Sequence, residues 1–163
     1  MLSRVTLLLA GSLLWFAPLA ATAQTEVEAS RQTEVLPNLN VEMVQLVLDE
    51  AGMDTEMLYS EDLGEYVLVK HDGKKAVLIN KACTDPGCYG LLAVAFVDGD
   101  PDAEEINEFN ANVNSATLVR LDDGSLMIRR YLIGDYGVTR GSLEVDVRVL
   151  LDLIDTWNDW WSD

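Results

Sequence analysis

Residues 65–99 read "EYVLVKHDGKKAVLINKACTDPGCYGLLAVAFVDG", and the fold turns on this stretch. Its first part, 65–80, is rich in Val, Leu and Ile on either side of His71-Asp72-Gly73. That tripeptide favours a tight turn, which predicts two strands of a hairpin. Its last part, 89–99, is almost wholly apolar and predicts a central strand covered on both faces. Between them "KACTDPGCYG", residues 81–90, holds both cysteines of the chain around an Asp-Pro-Gly turn. Strands joined by such short turns pair antiparallel.

Working outward, "NVEMVQLVLDEAG" (40–52) predicts a helix before the strands. Asn40 is placed to cap it, Val44, Val47, Leu48 and Ala51 share one face, and Gly52 stops it. "TEML" (55–58) is a weak strand. After the central strand, "GDPDAEEINEFNANV" (99–113) predicts a second helix with Asp100 as cap, Pro101 in its first turn, and Asp102, Glu104 and Glu105 near its positive end. Asp98, Asp100 and Asp102 also resemble the start of a calcium loop. Ala103 and Phe109 stand where that loop needs glycine and glutamate, so helix capping is the better account. "SATLVRLDDGSLMIRRYLIG" (115–134) is another hairpin turning at Asp122-Asp123-Gly124. "GVTRGSLEVDVRVLLDLIDTWNDWW" (137–161) is the last helix, capped by Thr139 or Ser142. The expected class is α+β, a mainly antiparallel sheet with three helices in the order α-β-β-β-β-α-β-β-α.

The N-terminus reads "MLSRVTLLLAGSLLWFAPLAATAQ" (1–24). Arg4, an apolar run to about Leu19 and Ala21-Thr22-Ala23 form the pattern of an export signal over 1–23. An uncleaved anchor is the alternative. Cleavage would leave a polar lead-in over 24–38 and one domain over 39–161. A periplasmic or secreted location follows, with no stable membrane association after cleavage. In an oxidising compartment Cys83 and Cys88 read as a structural disulfide across the turn. A redox pair is the weaker alternative, because thioredoxin-like chemistry uses two intervening residues at a helix start. A metal site would need more ligands than the two cysteines and His71 supply, so no metal and no cofactor are expected.

The formal charge is −17. Such a surface repels phosphate backbones and disfavours nucleic acid as a partner. No Gly-x-Ser-x-Gly elbow, phosphate-binding glycine loop or His-Glu-x-x-His motif occurs in the chain, and the single histidine, His71, sits at a predicted turn. Enzyme activity is not expected. A small hydrolase or a thiol-redox protein on the same scaffold is the alternative.

On a helical wheel the last helix shows two apolar stripes. Leu143, Val147, Leu150, Ile154, Trp157 and Trp161 form the core seam, and Val145, Val149, Leu153 and Trp160 form the second. Glu144, Arg148, Asp152, Asp155 and Asp159 fill a polar arc. Either the helix is wedged within one domain, or the second stripe meets another chain. On the latter reading Val145, Val149, Leu153 and Trp160 are the surface for an unidentified protein partner or for a homodimer.

The ordered set of "EAGM" (50–53), the Cys-x4-Cys turn, "INEFN" (106–110), "ATLVRLDDGSLMIRRYL" (116–132) and "GVTRGSL" (137–143) resembles the YbjN-domain family, from about Leu39 to Trp161. Its members are described as bacterial sensory transduction regulators, many of them from Gram-negative bacteria. The resemblance implies a fold similar to that of type III secretion chaperones, which are small, acidic and usually dimeric, and a binding or chaperone-like role. It brings no catalytic residues. Asp135-Tyr136 and the tryptophan-rich C-terminus depart from the family pattern. An exported chain also could not act as a cytoplasmic secretion chaperone.

Overall fold

A computed structural model describes residues 28–162. The expected signal segment 1–23 lies outside the described residues. The elements are β1 (Val35–Leu36), α1 (Val41–Glu50), β2 (Asp54–Ser60), β3 (Gly64–His71), β4 (Lys74–Thr84), β5 (Gly87–Val97), α2 (Ala103–Asn112), β6 (Thr117–Arg120), β7 (Leu126–Ile133), β8 (Val138–Thr139) and α3 (Arg140–Ser162). The expected α+β order is present, with β1 and β8 added as a small separate pair. Six strands form one antiparallel sheet in the order β2-β3-β4-β5-β7-β6. Asp72 and Gly73 turn the β3–β4 hairpin with φ of 49° and 77°, the left-handed conformation that makes Asp-Gly a hairpin signal.

Side chains alternate across each strand, so the sheet has two faces. Val67, Val69, Leu78, Leu91, Ala93, Ala95, Ile128 and Leu132 point inward and are buried under α1 and α3. Phe109 of α2 and Leu118 of β6 complete this core.

β5 is central, but helices cover it on one face only among the described residues. The near-continuous apolar run suggested cover on both. Leu92, Val94 and Phe96 face the other side, where they meet cross-strand apolar neighbours instead of a helix.

Local cap assignments also shift. The side chain of Asn40 does not cap α1. Its Oδ1 accepts from the Cys88 N–H at 2.8 Å, while the Leu39 N–H donates to the Cys88 carbonyl at 2.7 Å. The start of α1 is thus tied to the end of the β4–β5 hairpin. Asp102, not Asp100, caps α2. Its carboxylate accepts from the N–H groups of Glu104 and Glu105, and the Glu105 side chain accepts from the Asp102 N–H. Asp100 pairs with Arg120 at 2.8 Å instead. Thr139 caps α3 by accepting from the Ser142 N–H.

Within the stretch expected as a lead-in, residues 28–32 form a helical turn and β1 pairs with β8. Leu36 enters the core, and the Gln32 side-chain amide donates to Glu144 at 2.9 Å. One apolar residue and a few polar contacts carry this docking, which is too sparse a pattern to show as periodicity.

Candidate functional site

The last helix does not present the surface expected of its second stripe. Leu153 is 8% exposed and belongs to the core, Val149 is half-buried against it, and Val145 alone is open, at 58%. Trp160 packs inward, with its ring centroid 5.8 Å from Phe109 and 5.4 Å from Trp157. The Trp157 N–H donates to the Asp98 carbonyl at 2.7 Å, and Trp161 stacks on Trp157 at 5.6 Å. The cause is the helix's position. α3 is wedged between the sheet, α1 and the aromatic side of α2, so an arc broader than one stripe is buried.

Its polar arc is also used within the domain. Lys74 reaches Asp152 and Asp155, and Arg130 pairs with Asp146. Arg148 donates to Glu144 and to the Ala51 carbonyl, and its guanidinium lies 2.7 Å from His71 Nε2. The hydrogen bond from Asp155 holds the Lys74 ammonium above its ordinary range. At the other end Arg140 joins Glu34 and Glu50, and its hydrogen bond holds the Glu50 carboxyl below the usual carboxylate range. His71 therefore serves as a contact between β3 and α3. Among the described residues no cluster of three or more His, Cys, Asp or Glu could hold a metal ion.

The opposite face of the sheet is the candidate site. Register places its residues in cross-strand rows. Tyr66, Ile79, Leu92 and Tyr131 form one row; Leu68, Val77, Val94 and Arg129 form the next. Phe96 and Met127 continue on one side, with Val119 beyond them on β6. Ile79 and Val94 are 7% and 5% exposed, although no described helix covers them. They are shielded by neighbours on their own face, the usual source of stability between adjacent strands. Phe96 is 58% exposed, Tyr131 50% and Ile133 66%. The Tyr131 ring lies across Gly90, where a Cβ would stand 2.1 Å from its hydroxyl oxygen. A side chain at Gly90 would displace the tyrosine.

Charge sets this face apart. The chain has 28 acidic and 11 basic residues. Yet the outward positions of β3, β4, β5, β6 and β7 carry Lys70, Lys75, Lys81 and Arg129 and no acid. Lys70 pairs with Glu56 of the edge strand β2 at 3.1 Å. Lys75, Lys81 and Arg129 make no ion pair among the described residues, whereas Lys74, Arg120, Arg130, Arg140 and Arg148 all do. The result is an apolar centre with cations on its rim.

Cys83 and Cys88 lie at the end of the β4–β5 hairpin, beside Asn40 and Glu42 at the start of α1. They are cross-strand partners and are joined by a disulfide. Sequence reasoning missed the face itself. Its signal was present in the outward residues of β5, which are as apolar as the inward ones.

Residues 40–162 match the sequence profile of YbjN, described as "Putative bacterial sensory transduction regulator". The chain belongs to the YbjN family. It is also similar to the crystal structure of "YbjN, a putative transcription regulator from E. coli", at 21% identity over 72% of this chain and 93% of that one, with a TM-score of 0.43. No curated protein matches. Two segments that carry the YbjN resemblance have structural roles here. In "INEFN", Phe109 enters the aromatic cluster, and the Asn110 amide both donates to the Leu118 carbonyl at 3.0 Å and accepts from the Leu118 N–H at 2.7 Å. That side chain pairs with β6 as a strand would. In "GVTRGSL", Thr139 caps α3 and Arg140 ties it to Glu34 and Glu50.

Proposed function

We propose that this YbjN-family protein is an exported, non-catalytic module that acts by binding a polypeptide partner on the outer face of its sheet. The observation that carries this reading is the uncovered apolar face itself. Antiparallel sheets that meet water on one side ordinarily place polar residues there. Here Leu92, Phe96, Tyr131 and Ile133 stand in their place, and an exposed apolar surface rimmed by polar groups is characteristic of interaction sites. The N-terminal pattern and the disulfide pair suit an exported chain. A regulatory or chaperone-like role would follow from occupancy of this face, with the domain beneath it held rigid by α3.

Site-specific photocrosslinking in intact cells tests this. A benzophenone side chain replacing Phe96 or Leu92 should give a discrete adduct with a second polypeptide, and one replacing Val145 should not. Adducts from Val145 with none from the sheet would return the partner surface to the last helix. No adduct from any position would remove the binding reading.

A further inference from the structure

Resting on that reading, we infer that the partner supplies an extended, acidic segment that pairs as an added strand along the free half of β7. β5 pairs with β7 along its whole length, from Leu126 to Ile133, but β6 pairs only with Leu126–Arg129. From Arg130 to Ile133 the far edge of β7 has no partner strand among the described residues. Where β6 would continue, there is an open groove of about 670 Å³. It is lined by this edge, by Asn114–Thr117, by Gly137–Thr139 and by Ser142 and Asp146 of α3, the Asp146 carboxylate being paired with Arg130.

A free strand edge presents main-chain donors and acceptors at fixed spacing, which an extended peptide satisfies by joining the sheet. The Gly134 N–H points toward β5, donating to the Tyr89 carbonyl at 2.7 Å. Alternation then turns the main-chain groups of Tyr131 and Ile133 toward the groove. An added strand would place every second side chain on the outer face, beside Arg129, Tyr131 and Ile133. Arg129 has no carboxylate partner there, and Lys81 lies two strands away in the row of Gly90 and Ile133. Acidic side chains alternating with β-branched apolar ones meet these needs. A second copy in twofold pairing would set the same acid-free face beside Arg129 and would bring it no carboxylate. A lipid surface offers no main-chain donors and acceptors at strand spacing, so the free edge favours a polypeptide over a bilayer.

The test is a titration of the purified, isotope-labelled protein followed by amide NMR. The probes are two soluble ten-residue peptides, one alternating Glu with Val and one alternating Lys with Val, together with phosphatidylglycerol vesicles. The Glu peptide should shift the amides of Tyr131 and Ile133 saturably and slow their hydrogen exchange. Arg129→Glu should weaken it by about tenfold or more. Ile133→Pro removes an edge N–H and should abolish binding while the remaining spectrum stays folded. Equal binding of the Lys peptide would overturn the acidic preference. Shifts confined to Leu92 and Phe96 would overturn strand addition while leaving a polypeptide-binding face in place. A dimer by light scattering with Tyr131 and Ile133 already protected would assign the edge to a second copy, and a response to vesicles alone would assign it to a membrane surface. Either result overturns the inference.

Discussion

The two faces of one sheet carry similar apolar side chains and serve opposite purposes. On the inner face Leu78, Leu91, Ala93 and Ile128 disappear beneath α1 and α3, and cations near the helix are matched to its carboxylates: Lys74 to Asp152 and Asp155, Arg130 to Asp146. On the outer face Leu92, Phe96 and Tyr131 lie uncovered by any described helix, and Lys75, Lys81 and Arg129 have no carboxylate among the described residues. One face is internally complete. The other has apolar surface and positive charge left unmatched among the described residues.

If that contrast is right, substitutions on the two faces separate stability from binding. The largest loss is expected for Trp157→Ala, which empties the centre of the aromatic cluster and should cost about 4 kcal/mol in urea unfolding. Leu153→Lys comes next, at about 3 kcal/mol, because it replaces core volume with a buried charge. Val145→Lys one face round should stay within about 0.5 kcal/mol, and equal effects of the two would restore the exposed stripe. Cys83→Ser opens the β4–β5 staple and should cost about 2 kcal/mol, the value expected when so short a loop is released. The same loss should appear when the parent protein is reduced.

Smallest in stability is Phe96→Ser on the outer face, within about 0.5 kcal/mol, while crosslinking to the partner is lost. Destabilisation comparable to that of Trp157→Ala would show the outer face to be a second core and break the comparison. A pH experiment probes the fastening of α3. Arg140 lowers the folded-state value of Glu50, so its contribution is present above the ordinary carboxylate range and fades as pH falls through the lowered value. Glu50→Gln should therefore reduce the acid-side dependence of the urea midpoint and leave its alkaline side unchanged.

Reading the sequence worked where the cause was local. Asp72-Gly73 announces its hairpin because few other residues accept positive φ in succession. Periodicity placed Val44, Val47 and Leu48 on the buried side of α1. It failed where a side chain has two acceptable partners. Asn40 could cap its helix or hold Cys88, and it holds Cys88. Asp100 and Asp102 are both competent caps, and the position of Arg120 draws Asp100 away. Trp160 could face a partner or Phe109. Only the approach of α2 to α3 decides for Phe109.

The sequence by itself determined the order of the three helices and the six strands of the main sheet, the antiparallel pairing and the family, since turn chemistry and side-chain alternation act over a few positions; the β1–β8 pair was not among them. The tertiary structure decided which apolar face is covered. Alternation along Leu91–Phe96 marks two apolar sides with equal strength. Which one becomes core depends on where α3 lands, and that is fixed by contacts far away in sequence, among them Lys74 with Asp155, Arg130 with Asp146 and Arg140 with Glu50.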